Sequence, residues 1–239
     1  MEFFASGYPT PGPLYLAPTQ FFDFDQPIVR DFALAHAAGA GTDVEKAVKL
    51  YYAVRDKVRY DPYSIVLEPK AYKASTVLEQ KFGFCLPKAS LLVALARAVG
   101  IPTAIGMSDV RNHLSTERLK RIMGSCDLFI HHGYAVMHLE GKWVKAAPAF
   151  NIELCNRFGV LPTEWDGRSH ALFQPYDATG RRHMEYVSDH GVWSDFPFDR
   201  VDHDFRSYYP ASFFDSLARD QALKGSKAQV KFEEERPLA

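Results

Sequence analysis

The segment "GFCLPKASLLVALARAVGIP", Gly83 to Pro102, constrains this chain more than any other stretch. Leu86, Ala89, Leu91, Leu92, Val93, Leu95, Ala96, Ala98 and Val99 occupy most of the circumference of a helix that opens at Cys85 and ends at Gly100, with Pro102 as a second stop. A helix apolar all round must be covered on nearly every side, so it forms the centre of a layered fold. With 239 residues, 47% of them hydrophobic, the chain has ample material for that covering and should fold without metals or disulfides.

The covering elements are legible on both sides of this helix. Thr42 is a good N-cap, with Glu45 three residues on as in a capping box, and opens a helix through "DVEKAVKLYYAVRDKVRY" that Pro62 stops. A shorter helix lies around "STVLEQKF". Beyond Gly100, "IPTAIGMSDV" reads as a strand, and "HHGYAVMHLEGKWVKAAPAF" as two strands joined at Glu140-Gly141. The fold class is therefore α+β, a buried Cys-bearing helix on an antiparallel sheet. Residues 1–28, rich in proline and aromatics, read as an extended arm, 29–150 as the core, and 151–239 as an extension packed on it with no sustained periodicity. The final "KGSKAQVKFEEERPLA" reads as a solvated tail or short terminal helix.

Charge excludes several functions. Lys and Arg total 28 against 29 Asp and Glu, a formal net charge of -1, which offers no footprint for a phosphate backbone or an anionic membrane. Nucleic acid and membrane are not expected partners. The N-terminus lacks a basic region followed by an apolar run. Three cysteines, Cys85, Cys126 and Cys155, read as reduced thiols in a cytoplasmic protein.

Cys85 carries the chemistry. At a helix start the macrodipole and the unpaired N–H groups favour a thiolate, and the same groups can hold an oxyanion. Gly83 lets a substrate backbone approach. Among nine histidines, His132 is the best placed base, because it opens the strand pair while His138 lies near the turn. "SDVRNHLST" offers Asp109, Arg111, Asn112 and His113 on what should be a loop, where they could meet polar groups of a substrate. Cys126, His131 and His132 lack metal-ligand spacing, so no metal or other cofactor is expected. Met184, Tyr186 and Trp193 either finish the core or wall an apolar acyl pocket.

A helix opening with "GFC" and closing with "LARAVGIPTAIG", followed by strands with "HGY" and "GKWVKAAP", resembles the transglutaminase-like superfamily. The resemblance covers roughly Thr42 to Phe150 and is most specific in the cysteine helix. It implies a papain-like Cys-His-Asp site in which Cys85 forms a thioester and His132 moves the proton. One departure stands out: where the family places aspartate before proline, this chain has Ala147 before Pro148. If Glu140-Gly141 is a two-residue turn, Leu139 pairs with Lys142 and His132 falls opposite Ala149, with Asn151 on a diagonal. Asn151 then becomes the candidate to orient the imidazole, with Asp127 or the C-terminal third as other sources. The function expected is thiol-dependent acyl transfer on a small-molecule or peptide donor, most simply hydrolysis of an amide or peptide bond. An amide-forming acyltransferase and a non-catalytic binding module are the alternatives.

Overall fold

The computed structural model describes residues 8–113, 115–124, 126–172, 180, 184–222 and 231–236. Helix α1 is Pro27–Ala37 and α2 is Asp43–Lys57. The expected capping box closes α2: Glu45 N–H donates to Thr42 Oγ1 at 3.2 Å, and Thr42 N–H to Glu45 Oε2 at 3.3 Å. The helix stops short of the sequence expectation. Arg59–Tyr60 instead forms strand β1, parallel to β2 at Phe82–Gly83, and the N–H groups of Arg59 and Asp61 donate to the carbonyls of Lys81 and Gly83 at 3.0 Å. A distant segment supplies those partners, which local periodicity does not reveal. Helix α3, Ala74–Gln80, ends on Lys81 in the left-handed region and leads through β2 to α4, Cys85–Ala98.

Every residue of α4 from Leu86 to Arg97 is buried, as the apolar circumference requires. Two buried cations tie it to its surroundings. Lys88 Nζ donates to the carbonyl of Arg55 at 3.0 Å and also to that of Val58, capping the C-terminal turn of α2. Arg97 donates to the carbonyls of Thr103, Ala17 and Ser194, linking the far end of α4 to the N-terminal arm and the sheet.

The sheet has the order β5-β4-β3-β6, all antiparallel, from β3 Thr103–Asn112, β4 Leu128–Leu139, β5 Lys142–Ala146 and β6 Met184–Trp193. Leu139 pairs with Lys142 across Glu140 and Gly141, both at positive φ, as the two-residue turn demands. One face packs on α4. The other carries Tyr134, Val136, Trp143, Ala147 and Val192 and is sealed by the arm, where Tyr15 meets Trp143 edge-on at 5.5 Å and Trp143 Nε1 donates to the Pro9 carbonyl at 2.8 Å.

The C-terminal third therefore supplies β6 to the sheet, and adds α6 at Ile152–Phe158, α7 at Phe198–Tyr208 and α8 at Ala211–Ala222, following α5 at Glu117–Met123. The described end of the chain is a short helical turn rather than a solvated tail. Phe232 is buried against Tyr60, Tyr63 and Phe158, because one aromatic among charges still gains by leaving water. Among the described residues no helix is long and apolar enough to cross a membrane.

Candidate active site

Cys85 is the first residue of α4 and the only one before Ala98 that keeps partial exposure. Protein nonetheless surrounds the sulfur, and this burial pushes the thiol up to about 11. The backbone N–H groups of Gly133, Leu86 and Cys85 itself act against that rise, because each stabilises the anion. The close approach of β4 to α4 depends on Gly133. A Cβ there would stand 2.8 Å from Leu86 Cδ2 and 3.0 Å from Leu86 Cα, closer than carbon atoms pack. Gly83, read from sequence as an opening for substrate, also has a packing reason, since its Cβ would lie 3.2 Å from Pro87.

His132 precedes Gly133 on β4 and is buried, which pushes its imidazole down to about 3. The Tyr186 ring stands perpendicular to it with centroids 6.2 Å apart. Met184 and Trp193, the other two residues considered for an acyl pocket, are buried in the core. Around Cys85, the buried hydroxyls of Tyr60, Tyr72 and Tyr209 are raised by burial, with the Cys85 charge adding to the rise.

Asn151 is buried at the N-cap of α6. Its Oδ1 accepts the Tyr60 N–H at 3.1 Å and its Nδ2 donates to Glu153 Oε2 at 2.8 Å. The register behind the sequence expectation holds from Leu139 to Ala135 and no further. The ladder ends at Ala135 and Ala146, and Ala147 N–H donates to the Ala171 carbonyl instead, so His132 and Ala149 do not form a strand pair. Ala147 packs with Tyr15, Tyr134 and Trp143 on the face away from α4.

Asp109, Arg111 and Asn112 lie on β3, not on a loop, because Met184 to Tyr186 of β6 pair with Val110 to Asn112. Arg111 pairs with Asp127 at 3.1 Å and Glu185 at 3.6 Å, and the Asn112 N–H donates to the Asp127 carbonyl. Asp109 Oδ1 accepts the His131 N–H at 3.0 Å and faces His190 Nε2 at 2.7 Å. A cavity of about 340 Å³ beside the first turn of α4 is lined by Ser64, Glu68, Thr76, Phe82, Gly83 and Pro87 among others.

Sequence reasoning missed Lys88, His190 and Asp204. Lys88 had a signal, being one of only two charges inside an apolar helix, whereas His190 and Asp204 lie in the stretch without periodicity.

Residues 30–148 match the model of the transglutaminase-like superfamily. The core of this chain belongs to that superfamily. Its fold is similar to that of a candidate cysteine protease from Cytophaga hutchinsonii, at 15% identity over 76% of this chain and 46% of that one, TM-score 0.47. The arylamine N-acetyltransferase of Mycobacterium abscessus is 15% identical over 84% of this chain and 73% of its own, TM-score 0.41. The transglutaminase of red sea bream is 14% identical over 74% and 37%, TM-score 0.36. The chain thus spans under half the length of the first and last of these. No curated protein matches the chain.

Proposed function

We propose that the protein is a thiol-dependent acyl-transfer enzyme that cleaves an amide or peptide bond. The observation that carries this reading is the meeting of Cys85, at the open end of a buried helix, with the backbone N–H of Gly133, the neighbour of His132. Both side chains rest neutral, since burial raises the thiol and lowers the imidazole. In this reading His132 takes the Cys85 proton as sulfur bonds to the substrate carbonyl carbon, and first-turn N–H groups hold the oxyanion. Collapse breaks the bond to the leaving amine, which receives the proton from His132. Water then attacks the thioester, His132 taking its proton, and the acid and the free thiol are released.

Asn151 fills the third position as a positioning residue. Its carbonyl oxygen, which already takes the Tyr60 N–H, has a second lone pair for the imidazole of His132. Arg111 and Asn112 remain candidates for substrate polar groups, provided Arg111 leaves its carboxylate partners. An amine acceptor in place of water would turn the same thioester into an amide-forming reaction.

The test is intact-mass analysis after incubation with a panel of activated esters and peptide amides. An acyl adduct on Cys85, absent from folded Cys85→Ala, is the expected result. In the same assay Asn151→Ala should lower kcat more than it raises KM and shift the pH profile. Absence of any adduct and any turnover across the panel would overturn the reading in favour of a non-catalytic module.

A further inference from the structure

The histidine beside His132 belongs to a second constellation. His131 is buried and sits at φ 56, a conformation that a β-strand residue adopts at a cost. It is the extra residue of a bulge, for Ser108 pairs with His132 and Val110 with Phe129, two steps on β3 against three on β4. The β3–β6 ladder is irregular at the same place, between Met107 and Ser108 and again between Asp109 and Val110. All register breaks of the described sheet therefore flank Asp109, and bulges of this kind re-aim side chains.

They are aimed at one another. Asp109, His131 and His190 each offer a ligand atom, all within 4.8 Å of one another. His131 Nε2 faces Asp204 Oδ2 at 2.7 Å, while its Nδ1 is buried with no hydrogen-bond partner among the described residues. The three residues and Asp204 line a cavity of about 310 Å³, together with Ile130, Ser207 and Tyr208.

We infer that Asp109, His131 and His190 form a binding site for a divalent transition-metal ion of the zinc type, with Asp204 as the carboxylate that orients His131. Two imidazoles and one carboxylate are a hard-to-borderline donor set that suits zinc and leaves a fourth position open toward the cavity. With Nε2–H donated to Asp204, the lone pair of His131 lies on Nδ1, and a carboxylate behind a ligating histidine is the usual support of such a site. On binding, the ion takes the place of the hydrogen between His190 Nε2 and Asp109 Oδ1, and the His190 ring carries its proton on Nδ1 instead. The site is assembled from β3, β4 and β6 and from Asp204 on α7, so the ion would also clamp the C-terminal third onto the core. It uses neither Cys85 nor His132, and stands whatever the fate of the thiol mechanism.

The full-length protein, stripped with a chelator, is titrated with Zn²⁺ by calorimetry and with Co²⁺ by visible absorption. One equivalent of Zn²⁺ should bind, and Co²⁺ should give d–d bands without a thiolate charge-transfer band. The last point matters because Cys126 Sγ lies 3.0 Å from the Tyr208 hydroxyl at the cavity rim. His190→Gln and Asp109→Asn, checked for folding by circular dichroism, should each weaken binding at least tenfold, and Asp204→Asn by about tenfold or more. In the wild type, Zn²⁺ should shift the ring-nitrogen NMR signals of His131 and His190, a readout that needs no variant. No saturable one-equivalent binding, a thiolate band, unmoved ring signals, or unchanged affinity in folded His190→Gln would each overturn the site.

Discussion

His131 and His132 are consecutive residues of one strand, and both are buried, but among the described residues only His131 faces a carboxylate. Around α4 the buried ionisable groups are held toward neutrality: the Cys85 thiol is pushed up to about 11, His132 down to about 3 and Lys88 down to about 7, each chiefly by burial. At the β3–β6 seam, burial also lowers His131, but the Asp204 carboxylate at 2.7 Å opposes the fall. Asp204 itself is lowered, because its bond to His131 and the charges of His131 and Arg200 outweigh its partial burial. Desolvation sets the direction for both histidines, but only at the seam does a facing carboxylate oppose it, and a single bulge separates the two settings.

The sharpest way to break this comparison is to remove the neutral base. His132→Ala should lower turnover by a factor on the order of 10²–10⁴, comparable to Cys85→Ala, and the double variant should be little worse than either alone. Additive losses would show that the two do not act as a unit. The same variant tests the burial argument without substrate. A histidine whose folded pKa lies near 3, against an ordinary value of 6.5, binds fewer protons folded than unfolded. It contributes stability above pH 6.5 that is lost as pH falls toward 3. Urea midpoints should fall through that window in the wild type and less steeply in His132→Ala.

Gly133→Ala should come next. Its methyl group would press on Leu86 at the first turn of α4, costing about 1–3 kcal/mol and moving the turn that carries Cys85. Thermal unfolding and the rate of Cys85 alkylation should therefore change together, and an unchanged alkylation rate would separate the strand from the site. Lys88→Met should have the smallest effect. Lys88 is depressed from 10.5 to about 7, so its contribution grows as pH rises between those values and is lost as pH falls through about 7. In Lys88→Met the slope of stability against pH across that window should flatten, whatever the change in absolute stability from uncapping the Arg55 and Val58 carbonyls.

The parts of the fold legible in the sequence are those fixed by neighbours along the chain. Thr42 and Glu45 cap a helix with atoms three residues apart, Glu140-Gly141 sets the turn that pairs Leu139 with Lys142, and the all-round apolar run after Cys85 demands burial at any location. Misreadings arose where the deciding partner was remote. Strand β6 turned the expected loop at Asp109 to Asn112 into strand, β2 ended α2 at Lys57, and Ala171 drew Ala147 out of the ladder that would have set Ala149 opposite His132.

By itself the sequence determined which helix is central, that a cysteine opens it and that a histidine lies on the strand beside it, although that strand begins at Leu128 and not at the histidine. Periodicity and capping are local properties, and the transglutaminase-like pattern is written in them. Only the tertiary structure decided which groups rest neutral, and that Asp109, His131, His190 and Asp204 converge. Protonation follows the low dielectric made by the whole core. Convergence follows the bulges where three strands and a helix meet, and neither has a representation in any short stretch of the chain.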